Sequence, residues 1–241
     1  MVTRILIILL ALAVSASAQR ICPPNQVNSN GLVGRWLVPG KQTGSVAQPT
    51  LCLDGSAKGN HGTTVNSPNY GVIYSRPAMT FNGISQYVTI PSNMVTAFPV
   101  SISYWFKTDF SANPIGVHFI EHWGNGSHVM AGGINQTGSY GYITSTTGIH
   151  SAISNFTNNA WNHVALVYTS DSAGTIYVNG TNVTTAGSNY WGPSGTEIST
   201  LGVRNNGGNL SWQFNGSLDD VRIYNRALTA GEIRAIYRGQ Q

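Results

Sequence analysis

The sequence predicts an all-β sandwich finished by one short C-terminal helix, and three observations predict it. From Gly31 onward, short runs rich in Val, Ile, Tyr and Phe alternate with clusters of Gly, Asn, Ser and Pro, the pattern of a sandwich or barrel. At the centre, residues 164–168 and 175–178 flank Ser170-Asp171-Ser172-Ala173-Gly174, a hairpin connection, and Asn179-Gly180 then supplies the positive-φ pair of a type I′ turn into Thr181-Asn182-Val183. Near the end, Thr229-Ala230-Gly231-Glu232 is a capping box, after which Ile233, Ile236 and Tyr237 share one helical face.

Taken in order, residues 1–18 read as an export signal. Arg4 is the basic start, Ile5 to Val14 an apolar run too short to span a bilayer, and Ala16-Ser17-Ala18 a small-residue cleavage site. No later apolar run reaches the roughly 20 residues of a membrane helix. The expectation is a soluble, secreted protein with no membrane span, whose residues 19–241 form one domain with its core over about 31–237.

Charged residues are 8% of the chain while Gly alone numbers 28, so Ser, Thr, Asn and Gly must cover the surface. The formal net charge is +4, and the Lys and Arg residues are scattered without a basic run, which argues against a nucleic-acid partner. Cys22 and Cys52 are the two cysteines. In an oxidising compartment they are expected to form one disulfide that pins residues 19–30 beside Leu53-Asp54; the alternative is two buried thiols.

In the run 101–106, Ile102, Tyr104 and Phe106 occupy one parity and Ser101, Ser103 and Trp105 the other, which predicts a strand with a dry face and a wetter face. Over 218–224, period-two alternation puts Asp219 with Val221 and Ile223, and Asp220 with Arg222. A carboxylate on an apolar face needs a compensating partner.

Acidic residues are few enough to test for catalysis. Two-carboxylate glycosidases place both groups across the scissile bond. The nearest two glutamates here, Glu197 and Glu232, are 35 positions apart, so a close-spaced glutamate pair on one strand is absent. His118-Phe119-Ile120-Glu121-His122 spells a zinc-peptidase motif, with Glu197 as a downstream ligand. That motif requires a helix, whereas the flanking Pro114, Gly116, Gly124 and Gly126 and the β-favouring Val117, Phe119 and Ile120 predict a strand, so no zinc site is expected.

Aromatic side chains in polar, glycine-rich surroundings are the remaining signal. Trp123, Tyr140, Tyr142, Trp191 and Trp212 are the candidate ligand-binding residues, since sugars stack on rings whose rims carry amides and hydroxyls. Seven Asn-x-Ser/Thr sequons occur, at Asn125, Asn135, Asn155, Asn179, Asn182, Asn209 and Asn215.

Five stretches, in order, carry a family resemblance. "LDGSAKGNHGT" at 53–63, "MTFNGISQYVTIP" at 79–91, "VSISYWFKT" at 100–108, "WNHVALVYTSDSAGTIYVNG" at 161–180 and "FNGSLDDVRIYNRALTAGEIRAIY" at 214–237 resemble the segments of LamG-like, concanavalin A-like jelly-roll domains. The resemblance implies a two-sheet antiparallel jelly roll. It also implies a structural Ca²⁺ on Asp54, Asn60 and Asp219; the competing reading is that Asp54 and Asn60 only form turns and Asp219 caps amides. For function it implies a non-catalytic recognition module that binds carbohydrate or a cell-surface glycan. The alternatives are an extracellular adhesion or structural protein with protein partners, and a glycoside hydrolase of unfamiliar geometry.

Overall fold

The computed structural model describes residues 29–37, 51–73, 76–112, 117–124, 128–134, 139–142, 151–152, 155–170, 173–184, 198–206 and 208–239. The expected export signal, Cys22 and Trp191 lie outside them. In chain order the strands begin β1 (Leu32–Trp36), β2 (Leu51–Cys52), β3 (Gly62–Val65), β4 (Asn69–Ile73), β5 (Arg76–Asn82), β6 (Tyr87–Ile90) and β7 (Val100–Lys107). They continue β8 (Val117–Gly124), β9 (His128–Ile134), β10 (Ser139–Tyr142), β11 (Ser151–Ala152), β12 (Asn162–Ser170), β13 (Ala173–Val178) and β14 (Thr181–Asn182). Last come β15 (Ile198–Leu201), β16 (Arg204–Asn206), β17 (Asn209–Ser211), β18 (Asn215–Tyr224) and the helix α1 (Ala230–Arg238).

Two large antiparallel sheets and a separate two-stranded β16–β17 hairpin result. The first runs β14-β13-β12-β7-β18-β5-β4, with β1 also on β18; the second runs β11-β10-β9-β8-β15-β6-β3-β2. The central hairpin forms as the sequence predicts, and Asn179 and Gly180 both take positive φ, 49° and 79°. Between the sheets lies the main core, with Trp36, Phe81, Tyr104, Phe106, Leu166 and Phe214 buried. Tyr104 spans it so closely that a Cβ on Gly132 of β9 would lie 1.9 Å from the phenol oxygen. Only glycine allows that approach.

A second apolar cluster lies on the far side of the first sheet, where Ile233 and Ile236 of α1 pack with Leu32, Ala165, Val167, Tyr224 and Leu228. The capping box is present, with Thr229 accepting from the Glu232 amide and Glu232 accepting from the Thr229 amide at 2.8 Å. Arg226 grips the same carboxylate through two nitrogens at 2.7 and 2.9 Å, and this pairing draws the Glu232 pKa down to about 2.

The helix corrects one sequence expectation. Ser101, Ser103 and Trp105 were expected on a wetter face, yet all three are buried beneath α1 and the segment leading to it. Their polarity has a structural use: Ser101 Oγ donates to the Arg226 carbonyl and accepts from the Leu228 amide, while Ser103 Oγ bonds His163 Nε2 at 2.9 Å. Burial holds His163 neutral, its pKa lowered to about 3.

Candidate functional site

Strand β18 contains the second correction. Its pairing with β7 shifts between Asp219 and Arg222, and Asp220 takes φ 47°, so one extra residue is accommodated there as a β-bulge. The alternation expected from sequence is broken. Leu218, Val221 and Ile223 face the main core, whereas Asp219 pairs with Trp105 in register and Asp220 bonds Arg222, both on the helix side. Asp tolerates the left-handed region better than most residues, which lets it occupy the bulge.

Each carboxylate then meets an arginine from a different strand. On one side of β18, β5 pairs only up to Leu218 and β1 resumes at Val221, leaving Asp219 and Asp220 in the gap. Arg76 of β5 donates to Asp219 at 2.9 Å, and Arg35 of β1 donates to Asp220 at 2.8 Å. Arg222 completes the Asp220 shell through Nε at 2.9 Å and through Nη2. Burial alone would raise the Asp220 pKa, but Arg222 and Arg35 outweigh it and hold the group ionised. For Asp219, burial and the neighbouring Asp220 prevail over Arg76, and the pKa rises to about 6. Arg76 also stacks 3.9 Å over the Trp105 ring, which in turn stacks on Tyr237 of α1 at 5.6 Å.

The expected calcium set is not assembled into one shell. Asp54 Oδ1 accepts from the amides of Arg35 and Ser56, and Oδ2 from Ser56 Oγ and the Asn60 amide. The Asn60 side-chain amide nitrogen donates to the Val33 carbonyl, and the Asn60 backbone carbonyl accepts from Trp36 Nε1. Asp219 belongs to the Arg76 network instead. A calcium ion takes six to eight oxygens, and here the side-chain oxygens of Asp54 are engaged by protein donors, so these residues do not fit the ion. No cluster of three or more His, Cys, Asp or Glu side chains able to hold a metal ion occurs among the described residues. Cys52 is a buried thiol 3.6 Å from Met79 Sδ, with burial raising its pKa to about 12.

The zinc-motif residues lie on strand β8, as the sequence predicts. His118 is opposite Gly133, Glu121 opposite Ala131 and His122 opposite Met130, with a register shift between His118 and Ile120.

The second sheet holds the more informative arrangement. Val88, Ile90 and Leu201 point into the main core, so Thr89 and Thr200, which alternate with them, belong to the opposite face. Cross-strand register runs from Thr63 to Thr89, Thr200, Glu121, Ala131 and Tyr142, one row over six strands. Two positions from Glu121, Trp123 is aligned with Ile198 and Val129. Thus Trp123 and Tyr142, two of the aromatic candidates, take nearby register positions of one sheet, and Tyr140 is opposite Ile134 and Ser151.

Trp212 lies apart, at the foot of the β16–β17 hairpin. Arg204 and Ser211 are cross-strand partners, so regular extension would place Trp212 on the side away from Arg204. Instead Trp212 has φ 55°, and the Arg204 guanidinium lies 4.7 Å over the indole. A left-handed backbone costs a residue with a Cβ about 1–2 kcal/mol. The sequence reading found Trp212 from composition but missed Arg204, because the pairing depends on that backbone turn.

Comparison with known proteins adds the following. The family model Laminin_G_3, described as the concanavalin A-like lectin/glucanases superfamily, matches residues 82–234. No curated protein matches the chain. Among solved structures, domain 4 of AbnA, a GH43 extracellular arabinanase from Geobacillus stearothermophilus in complex with arabinotriose, is similar at TM-score 0.61 and 17% identity, covering 87% of this chain and 98% of that one. The binding domain of Botulinum neurotoxin serotype D is similar at TM-score 0.62 and 12% identity, covering 88% of this chain and 51% of that one. Trypanosoma rangeli sialidase with the inhibitor DANA is similar at TM-score 0.61 and 14% identity, covering 88% of this chain but 33% of the sialidase. At these identities the likeness is one of fold.

Proposed function

Since the chain belongs to the concanavalin A-like lectin/glucanase superfamily, we propose that it acts as a secreted, non-catalytic carbohydrate-binding module. The observation that carries this reading is the transverse row on the second sheet. Thr63 and Thr89 on that row are at least partly exposed, and Glu121 and Tyr142 hold the same row with Trp123 close by in register. Hydroxyl, carboxyl and aromatic groups across one sheet are what a saccharide of several units requires, since its rings offer apolar faces and hydroxyl edges together.

Four carboxylates of the described residues have structural roles that do not suit hydrolysis. Asp219 and Asp220 are buried against arginines on the other sheet, Asp54 closes a loop, and Glu232 caps a helix. A glycosidase needs two carboxyl groups facing a bond from opposite sides, one of them able to give up a proton. Among the described residues, Glu121 is the one carboxylate residue on the proposed row.

A glycan array probed with the full chain tests the reading, with sugar release from the best ligand measured in parallel. Binding that falls at least tenfold in Trp123→Ala and Tyr142→Ala, with no reducing sugar released, supports it. Release of reducing sugar, or an array without any ligand, overturns it.

A further inference from the structure

We propose that Asn182 is an acceptor of an N-linked glycan, carried at the outer edge of the first sheet. The inference rests on the export expected from residues 1–18 and is independent of the carbohydrate-binding reading. It starts from the seven sequons, which the proposed function leaves unused. A glycan suits a folded chain only where the carboxamide nitrogen reaches solvent and the hydroxyl two residues on is not consumed elsewhere. Asn125 and Asn135 lie outside the described residues, and the fold treats the remaining sequons differently.

In the Asn215 sequon the hydroxyl belongs to Ser217, which is buried in β18 and shares a 2.9 Å hydrogen bond with Thr80. Asn179 sits in the turn after β13, where its Oδ1 accepts from the His163 amide at 2.9 Å and is thereby drawn back onto β12. Gly180, beside it, is packed so closely that a Cβ there would lie 3.2 Å from Tyr237 and 3.3 Å from Arg234 of α1. Asn155 and Asn209 are exposed, but neither touches its Thr157 or Ser211. Asn182 is different. It is exposed on β14, the end strand of the first sheet, and its Oδ1 accepts from the Thr184 amide at 3.1 Å and from the Thr184 hydroxyl at 3.0 Å. That hydroxyl is itself held in place, because the Ile176 amide donates to it at 2.8 Å. Among the described sequons, this is the one whose Asn and hydroxyl meet in the fold.

The chemistry of the transfer suits that arrangement. Two hydrogen bonds into Oδ1 polarise the carboxamide and make its N–H groups more acidic, while Nδ2 donates to no other group among the described residues. The donor is a lipid diphosphate-linked oligosaccharide. A bond forms between Nδ2 and C1 of the first sugar as the bond from C1 to the diphosphate oxygen breaks; Nδ2 gives one proton to a base of the transferase, and the lipid diphosphate leaves with the bonding electron pair. The position also has a use. An end strand exposes backbone N–H and C=O groups that can template pairing with another chain, and a bulky hydrated group on β14 blunts that edge.

The test expresses the full chain, with its own residues 1–18, in cultured human cells, whose secretory pathway supplies transferase and donor. Protein from the medium is treated with peptide N-glycosidase in heavy-oxygen water, which marks every released site, and its peptides are mapped by mass spectrometry. Most secreted copies should carry the mark at Asn182, with little or none at Asn179 and Asn215. Asn182→Gln should remove one glycan, seen as a single step in gel mobility before the enzyme is added. Thr184→Ala should remove the same glycan and Thr184→Ser should keep it, which ties occupancy to the hydroxyl. A secreted chain unmarked at Asn182, or a Thr184→Ala variant still glycosylated there, overturns this inference alone. Equal marking of Asn179, Asn182 and Asn215 also overturns it, since the fold then selects nothing. A chain kept in the cytosol overturns it together with the export reading. The glycan array bears on neither.

Discussion

Arg35 and Asp220, 185 positions apart in the chain, are joined by a 2.8 Å ion pair whose carboxylate is wholly buried. The pair ties β1 to the C-terminal strand at the bulge, and Arg222 shares the same carboxylate from within that strand. Taking Asp220 away leaves two guanidinium groups in a site with little water. Breaking a buried pair in this way costs about 3–5 kcal/mol. Asp220→Asn should therefore lower the urea unfolding free energy by roughly that amount, and by more than Asp219→Asn does, because Asp219 is paired with Arg76 and has a carboxyl that burial already disfavours as an ion. Equal losses in the two variants would mean that the bulge geometry is wrong.

The acid response follows from three groups with opposite signs. His163, neutral when folded and with a pKa of about 3, gains a proton on unfolding, so its contribution to stability falls as pH drops through about 6.5, the unfolded value. Asp219 works the other way: its folded pKa of about 6 lies above the unfolded value of about 3.9, so stability rises as pH falls between them. Glu232, at about 2 when folded, holds its contribution above its unfolded value of about 4.3 and loses it below. Between about pH 6 and 4 the first two oppose each other, and the midpoint should change little. Asp219→Asn removes the opposing group, so its midpoint should fall visibly over that same interval. Parallel pH profiles for parent and variant would show that Asp219 does not titrate there.

How far the sequence revealed the molecule depended on the range of the signal. The hairpin at 162–178, the turn at Asn179-Gly180 and the capping box at 229–232 are local, and each is written in residues that touch one another. The strand nature of 117–124 was also local, since flanking glycines and β-branched residues outweighed a zinc-binding string. What failed was non-local. Nothing in 100–107 says that α1 will cover its serine parity, and nothing in 218–224 but the Asp-Asp pair hints at an extra residue in the strand. A single bulge reverses every orientation inferred beyond it. The proposed row was likewise hidden, because Thr63, Thr89 and Glu121 share it only through register, with the buried Thr200 between the last two.

Calcium offers a direct check on the loop around Asp54. Four protein donors already fill its carboxylate, among them the amides of Arg35 and Asn60. An ion that bound the folded state at a hundred times its dissociation constant would add about 2.7 kcal/mol. The expected outcome is that chelator and added calcium leave the melting temperature unchanged, while Asp54→Ala lowers it by freeing the loop. A melting temperature that falls by several degrees on chelation would restore the ion and require the Asp54 donors to rearrange around it.

The contact between Tyr104 and Gly132 makes the two sheets sensitive to a single methyl group. A Cβ at position 132 would lie 1.9 Å from the Tyr104 oxygen and 2.8 Å from the ring carbon that bears it. Neither side has room to give, because Tyr104 is fully buried and in ring contact with Phe106 at 6.4 Å. Overpacking of this kind costs typically 1–3 kcal/mol, so Gly132→Ala should destabilise by about that much. Tyr104→Phe removes the nearer of the two clashing atoms but leaves the ring carbon in place. The double variant should therefore recover part of the Gly132→Ala loss, a coupling of about 0.5 kcal/mol or more in a double-mutant cycle. Strictly additive losses would show that the sheets part enough to admit the methyl, and that Tyr104 does not fix their separation at β9.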